Sequence, residues 1–211
     1  MALTTYTGLK AEIADWIHRS DLTSYLDTFI DLTEEMFTHE PRSPDDPDIG
    51  GLRVEITTGT GTLSTSVSTL ARPTRFLSAY RLDLTGTTGG MVQYVAPDQM
   101  PLVFREGSGK PRYWTVSNVV EFDVIPDSAY AYELKYYAAV APLSGSVADN
   151  AILLGYPMCY LAGCLHHAFE FVGDTENSNR WLARYKAYAW GANQQFQGSR
   201  YTQGALQARP A

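Results

Sequence analysis

Residues 150–172 read NAILLGYPMCYLAGCLHHAFEFV, and this stretch decides the fold of the 211-residue chain. Asn150 suits a helix N-cap and Pro157 suits a first helical turn, so a short helical turn followed by a longer helix is predicted. After Pro157 the apolar side chains recur at steps of three and four residues, as on one buried face of a helix. This face consists of Met158, Leu161, Ala162, Leu165, Ala168, Phe169 and Val172.

The opposite side of this predicted helix is mixed in character. It carries Tyr160, Gly163, His167 and Glu170. We therefore expect the helix to be covered on its apolar face and to be joined to something else on the other. Gly163 has no side chain and would let a neighbouring backbone come close.

The same helical period occurs at both ends of the chain. A first helix follows the Thr4–Thr7 cluster, and a second is capped by Ser20 or Asp21. A last helix is capped by Asp174. Their predicted apolar faces are Leu9, Ile13, Trp16 and Ile17; Leu22, Tyr25, Leu26, Phe29, Thr33, Met36 and Phe37; and Trp181, Tyr185, Tyr188, Ala189, Ala192 and Phe196.

The second helix has an acidic outer face formed by Asp27, Asp31, Glu34 and Glu35. Paired carboxylates at helical spacing can hold a metal ion or transfer protons. No His or further carboxylate is placed to complete such a site. We interpret the face as solvated surface.

The middle of the chain changes from a helical to a strand period. Prolines and glycines between His39 and Gly51 end the second helix, and alternation with period two begins at Leu52. Strands are predicted at Leu52–Ile56, Phe76–Leu84, Met91–Val95, Tyr113–Val116, Val119–Val124 and Tyr130–Tyr137, with a weak strand or exposed hairpin at Thr57–Thr69 and a short helix starting at Pro97–Gln99.

These patterns predict an α+β fold, in which N- and C-terminal helices form an antiparallel helical bundle and an antiparallel β unit is inserted between them. The predicted boundaries are 1–40 for the N-terminal helices, 41–148 for the β-rich unit, 149–196 for the C-terminal helices and 197–211 for a flexible tail.

Composition and charge exclude several classes of protein. Hydrophobic residues make up 45% and charged residues 18%, an ordinary globular balance. We expect neither a membrane span nor a secretion signal. The net charge of -7 argues against a DNA-gripping surface. Residues 1–50 hold 11 acidic and 3 basic side chains, whereas residues 174–211 hold 2 and 5, a polarity that suits head-to-tail contacts.

A zinc site is the first chemical hypothesis to consider, because Cys159, Cys164, His166 and His167 lie close together in sequence. The two cysteines point in different directions on a helix, and neighbouring histidines diverge by about 100 degrees. Helical zinc sites use histidines four residues apart. We therefore interpret the cysteines as reduced core residues in a reducing compartment, and we predict no metal and no cofactor.

No catalytic residue is predicted either. Gly59–Gly61 and Gly86–Gly90 precede no helix with a Lys-Ser/Thr pair, so we interpret them as hairpin turns. Gly107–Gly109 resembles a nucleophile elbow only superficially, and no pairing of a nucleophile with a base can be identified. The sequence therefore indicates a protein that is not an enzyme.

Two segments are candidate contact sites. The loop Arg105–Trp114 carries three cations, Arg105, Lys110 and Arg112, and suits a subunit or partner contact or, alternatively, contact with nucleic acid. The C-terminal segment supplies Phe196, Arg200, Tyr201, Leu206 and Arg209. Arginine and aromatic side chains are enriched at interface hot spots, and a flexible tail can insert into a groove of another protein.

Several short motifs occur in an order that resembles one family. The chain opens with TYTGLKAEIADWIHRSDLTSYLDTFIDLTEEMF, and Arg72–Phe76 (RPTRF) and Gly109–Trp114 (GKPRYW) follow. Glu133–Tyr137 (ELKYY) and Asn150–Leu154 (NAILL) come next, and Trp181 and Tyr185 lie in the last helix. In this order and spacing the chain resembles the head–tail adaptor (connector, gatekeeper or tail-tubular-A-like) proteins of short-tailed bacteriophages.

The resemblance implies a structural virion protein, assembled in the host cytoplasm and forming a ring, typically of twelve copies, beneath the portal protein. Such a ring extends the DNA channel, passes DNA without sequence-specific binding and docks the tail nozzle or tail fibres. Residues 197–211 would correspond by position to the family's C-terminal extension, which reaches into the portal.

Two alternatives stay open. A receptor- or carbohydrate-binding virion or tail protein is suggested by the aromatic strands, which contain Tyr94, Tyr113, Tyr130, Tyr132, Tyr136 and Tyr137. These tyrosines alternate along strands and more often fill or edge a core. A cell-wall hydrolase is the weaker alternative, since it would require a positioned acid or a metal.

Overall fold

The protein has a mixed α+β architecture in a computed structural model, which describes residues 3–86 and 89–200, and side chains up to residue 198. In these residues the α-helices are α1 (Tyr6–Ile17), α2 (Leu26–Thr38), α3 (Met100–Val103), α4 (Ala151–Gly155), α5 (Pro157–Phe171) and α6 (Thr175–Arg200). The strands are β1 (Thr57–Thr62), β2 (Thr69–Ala71), β3 (Phe76–Leu84), β4 (Gly90–Tyr94), β5 (Ser108–Gly109), β6 (Tyr113–Val116), β7 (Val119–Phe122), β8 (Ile125–Pro126) and β9 (Ala131–Ala138).

The chain divides into two compact units. Met1–Glu55 and Val140–Ala211 form the first, which we call the helical unit, and Ile56–Ala139 form the second, the β unit. Each has its own buried hydrophobic cluster. The ends of the chain therefore build one core and the middle builds another.

Helix α5 is the centre of the helical unit and contacts α1, α2, α4 and α6. Tyr160, Cys164 and Leu165 have no exposed surface. The element joined to the side that carries Tyr160 and Gly163, where a further partner was expected, is α2. The predicted caps are confirmed: the Asn150 side chain accepts a hydrogen bond from the Leu153 amide, and that of Asp174 accepts one from the Asn177 amide.

Gly163 lies where α2 and α5 come closest. A Cβ atom built on Gly163 would lie 2.4 Å from Cγ2 of Thr33. The Thr33 hydroxyl donates a 2.7 Å hydrogen bond to the Phe29 carbonyl, so this buried polar group is satisfied within α2. The close neighbour predicted for Gly163 is therefore the side chain of a threonine.

Several helix predictions need correction. Ser20 begins a 3-10 helix that runs to Tyr25, and α2 starts only at Leu26. Trp16, Tyr25 and Tyr188 were predicted on apolar faces but are substantially exposed. Each lies at the edge of its face, where the neighbouring helix leaves part of the ring in solvent. Helix α6 also continues to Arg200, beyond its predicted end at residue 196.

Glu34 is the main exception to the predicted acidic surface. Its carboxylate accepts a 2.8 Å bond from the Leu143 amide and a 2.9 Å bond from the Tyr160 hydroxyl. The Asn150 amide in turn donates to the Tyr160 oxygen at 2.6 Å and to the Ala141 carbonyl at 2.9 Å. This network ties the segment returning from the β unit to α2 and α5.

Residues 50–53 cross the helical unit without joining a sheet. The Tyr185 hydroxyl donates to the Gly50 carbonyl at 2.9 Å, and the Asn193 amide donates to the Gly51 carbonyl at 2.9 Å. The Arg53 amide donates to the Asn193 side chain at 2.7 Å. The predicted strand Leu52–Ile56 is therefore wrong, because polar side chains of α6 satisfy this backbone and Leu52 is buried in the helical core.

The β unit contains a seven-stranded sheet in the order β1-β9-β3-β4-β6-β7-β2. Its pairs are antiparallel except for β4 with β6, which is parallel. The predicted strands at Phe76–Leu84 and Tyr113–Val116 match β3 and β6, whereas the short parallel pair of β5 with β8 was not predicted. Its core consists of Leu63, Leu82, Leu84, Val92, Trp114, Val120, Phe122, Leu134 and Tyr136.

Replacing Gly163 with Ala is expected to destabilise the helical unit by about 1–3 kcal/mol, because the new methyl group overpacks against Thr33. Urea unfolding of the full chain measures this. Gly191→Ala is the matched control: Gly191 is an exposed helical glycine with open space around its Cβ position, so this change should stabilise by about 0.5–1 kcal/mol. Thr33→Ala combined with Gly163→Ala should cost less than the sum of the single changes. Equal effects of the two glycine substitutions would contradict the close packing.

Glu34→Gln is expected to change the pH dependence of stability. Burial raises the pKa of Glu34, and bonds from Leu143 and Tyr160 only partly offset this. The stability linked to its proton is present below the unfolded carboxyl pKa and is lost as pH rises through the higher folded pKa. Wild type should therefore lose stability relative to Glu34→Gln between about pH 4 and neutral pH.

Urea unfolding of both proteins at the two pH values tests this, with Glu55→Gln as the control because the Glu55 side chain is exposed. A parallel change in wild type and Glu34→Gln across this range would disprove the assignment.

Candidate interaction surfaces

The loop Arg105–Trp114 of the β unit is organised by one buried carboxylate. Asp123 has no exposed surface. Its Oδ1 accepts from the amides of Arg112 at 3.0 Å and Tyr113 at 3.2 Å, and its Oδ2 accepts from Arg105 Nε at 2.9 Å. Asp123 therefore fixes the loop backbone, as a buried carboxylate must find donors to offset its lost hydration.

The three cations of this loop differ in their surroundings. Arg105 forms an ion pair with Asp123 at 2.8 Å and donates to the Lys110 carbonyl at 2.9 Å. Lys110 donates to the Gly89 carbonyl at 3.3 Å. Arg112 has an exposed side chain. The structure therefore holds Arg105 and Lys110 within the β unit and presents Arg112 to solvent.

Exposed apolar side chains lie close to this loop in sequence. Leu102 is 85% exposed and Phe104 is 54% exposed, both just before Arg105, and Met91 of β4 is 67% exposed. Large apolar side chains on a surface are common when single, whereas several together mark contact sites. Met91 and Arg112 line one open groove, a surface of the mixed apolar and charged kind that protein partners contact.

The predicted C-terminal contact residues are only partly described. Phe196 is partly exposed on α6. Arg200 is the last residue of α6, and its side chain is outside the described atoms. Tyr201, Leu206 and Arg209 also lie outside the described residues, so their predicted contacts stay predictions.

The helical unit presents aromatic rings at its surface. The Tyr25 and Phe171 rings pack at an angle of 38° with centroids 4.7 Å apart, and Trp16 meets Trp181 edge to face at 5.3 Å. The Arg184 guanidinium lies 4.5 Å from the centroid of the Trp181 ring. Sequence periodicity placed Trp16 and Tyr25 on buried faces, so the sequence did not identify them as candidate contact residues.

An open groove of about 380 Å³ also lies between the start of α5 and the middle of α6. Its lining includes Tyr156, Met158 and Tyr188. Aromatic and methionine side chains of this kind favour contact with an apolar partner surface.

The cysteines have no reactive character. Burial raises the pKa of Cys159 and that of Cys164 to about 12 each, so both thiols stay protonated at neutral pH. Both are free, and the Cys164 sulfur lies 3.4 Å from the Thr33 hydroxyl oxygen. Neither cysteine is grouped with the two histidines, whose ring nitrogens lie near the carboxylate of Glu170, about one turn further along α5.

The aromatic strands form an open groove in the β unit. Phe76, Tyr80, Tyr94 and Trp114 belong to its lining. Tyr136 is buried, and Tyr113, Tyr130, Tyr132 and Tyr137 are partly buried. Most of the tyrosines considered for a carbohydrate surface therefore edge or fill the core of the β unit.

Comparison with protein families gives one match that covers nearly the whole chain. The family model described as SU10 adaptor protein matches residues 4–209 of the chain. A search of curated proteins gave no match. Among the described residues, no helix combines the length and apolar character needed to cross a membrane.

Arg105→Gln is expected to destabilise the β unit by about 3 kcal/mol, because it leaves the Asp123 carboxylate buried without its cation. Urea unfolding measures the loss, and hydrogen exchange of the Arg112 and Tyr113 amides reports the loosened loop. Arg112→Gln is the control on the same loop and should change stability by no more than about 0.5 kcal/mol. If the two substitutions had equal effects on stability and exchange, the structural role assigned to Arg105 would be wrong.

Proposed function

The chain belongs to the SU10 adaptor protein family, and we propose on this basis that it forms a ring beneath the portal of a phage capsid and joins the head to the tail. Membership makes it a structural protein of a phage virion rather than an enzyme. The family match over residues 4–209 is the observation that carries the proposal.

In this proposal the helices from both chain ends form the bundle that packs side by side with its neighbours in the ring. The exposed rings of Trp16, Tyr25 and Phe171 support such packing, since aromatic side chains are enriched at subunit interfaces. The charge polarity between an acidic N-terminal part and a basic C-terminal part supports head-to-tail contact of identical copies. The copy number proposed is twelve.

The inserted β unit supplies contacts to further virion components. Its loop Arg105–Trp114 is held by Asp123, so Arg112 is presented to a partner with little additional ordering on binding. Tail nozzle and tail fibre proteins are the partners we propose for this surface.

The channel of the ring passes DNA without sequence-specific contacts. A net charge of -7 supports this role, because a negatively charged wall repels phosphates and keeps DNA from adhering. The ring is assembled in the host cytoplasm, and the virion is its final location.

The C-terminal segment is the proposed portal contact. Phe196, Arg200, Tyr201, Leu206 and Arg209 provide aromatic, apolar and cationic groups of the kind found at interface hot spots. Many copies of a weak contact around a ring sum to a stable joint.

The central experiment mixes the purified full chain with the portal protein of the same phage and images the product by electron microscopy. We expect monomers or weak oligomers without portal and closed rings on the portal when it is present. Rings should be absent when an unrelated portal is supplied. Failure to form rings on the cognate portal would overturn the proposal.

Deletion of residues 201–211 tests the portal contact, because it removes predicted contact residues and leaves α6 complete to Arg200. We expect an unchanged melting temperature and at least tenfold weaker portal binding, about 1.4 kcal/mol. A chain carrying the same 11 residues in scrambled order separates tail length from side-chain chemistry. Equal portal binding by the truncated and full chains would refute the tail assignment while leaving ring formation to be judged by the imaging.

A further inference from the structure

His166, His167 and Glu170 bring three potential metal ligands together at the C-terminal half of α5. One ligand atom from each residue lies within 4.8 Å of the other two. Glu170 Oε2 is 3.9 Å from His166 Nε2 and 3.6 Å from His167 Nδ1. The divergence of neighbouring histidines on a helix does not separate them, because both rings turn toward the same carboxylate.

The other ring nitrogen of each histidine has a hydrogen-bond partner on a neighbouring helix. His166 Nδ1 lies 3.2 Å from the Ser178 carbonyl oxygen and 2.9 Å from the Ser178 hydroxyl. With its proton on Nδ1, facing the Ser178 carbonyl, His166 offers the lone pair of Nε2 to a metal ion. His167 Nε2 lies 3.0 Å from the thioether sulfur of Met36, which only accepts, so Nδ1 of His167 offers a lone pair.

In these tautomers two imidazole nitrogens and a carboxylate oxygen are acceptors that lie within 4.8 Å of one another. Such an arrangement is repulsive unless a cation occupies the space between them. Two imidazole ligands and one carboxylate suit a first-row transition metal better than Mg²⁺ or Ca²⁺, which prefer oxygen.

Metal binding requires the three ligand atoms to draw closer together than the 3.6 Å, 3.9 Å and up to 4.8 Å that separate them. With metal–ligand bonds of about 2.0–2.2 Å, neighbouring ligand atoms of a tetrahedral site lie roughly 3.3 Å apart. The Glu170 side chain is largely exposed and is free to close the remaining few tenths of an ångström. His166 is buried and His167 nearly so, and rotation of their rings is needed to bring the two imidazole nitrogens closer together.

We infer that His166 Nε2, His167 Nδ1 and a Glu170 carboxylate oxygen form a binding site for a divalent transition-metal ion of the zinc type, with water completing the coordination. The rings are oriented from two other helices, since Ser178 belongs to α6 and Met36 to α2. Such support by a hydrogen-bond acceptor behind each imidazole is typical of protein metal sites. The bound ion therefore stabilises the packing of α5 against both neighbours.

The test is calorimetric titration of the full chain with ZnCl₂ in a buffer free of chelators, with MgCl₂ as the contrasting ion. Wild type is expected to bind one Zn²⁺ per chain and to melt at a higher temperature when Zn²⁺ is present, because the ion binds only the folded state. Co²⁺ in place of Zn²⁺ should give visible absorption typical of a four-coordinate site.

Glu170→Gln is the key variant, since the exposed side chain is not needed for folding. It should weaken Zn²⁺ binding at least tenfold, and His167→Gln should abolish the rise in melting temperature. His18→Asn is the matched control: it removes an exposed histidine at a left-handed position with φ of 53°, which Asn tolerates. The inference fails if wild type shows no stoichiometric binding, or if Glu170→Gln and His167→Gln bind Zn²⁺ as wild type does.

Discussion

The approach of α2 to α5 at Thr33 and Gly163 is the contact on which the helical unit depends. A glycine on α5 removes the side chain that would otherwise hold the helices apart, and the polar groups nearby are satisfied as the helices close. Tyr160 can then reach Glu34, and Asn150 can reach Tyr160. The close approach of the two helices thus allows the buried helix α5 to form a polar network where it packs against α2.

Polar side chains of the helices also bind the two segments by which the chain leaves and re-enters the helical unit. Leu143 donates to Glu34 on the segment that returns from the β unit, while Gly50 and Gly51 on the outgoing segment accept bonds from α6. Each of these backbone groups would otherwise be buried without a partner, at a cost of about 1–3 kcal/mol apiece. Polar side chains of the helices therefore satisfy both connections, and neither extends the sheet.

In this adaptor-family protein the two units have separate hydrophobic cores. Helices built from both chain ends provide a core that the middle of the chain does not share, while the β unit has its own core and a loop fixed by Asp123. Surfaces presented on separately folded cores are ordered before a partner arrives, so association costs less conformational entropy. Structural joints in a virion gain strength from many such contacts rather than from chemistry at one site.

The sequence by itself determined the helices and most strands, because apolar periodicity and caps such as Asn150 and Asp174 act over a few residues. The family resemblance also depended on local motifs, and the family match supports it at the level of a phage adaptor. Only the tertiary structure decided the roles of individual polar groups. The sequence predicted Glu34 to be solvated, Arg105 to be a contact residue, and His166 and His167 to diverge, yet each has partners that the local pattern does not show. The reason is physical: a helical or strand period records which side of an element is buried, whereas the state of an ionisable group depends on the atoms brought against it by the rest of the chain.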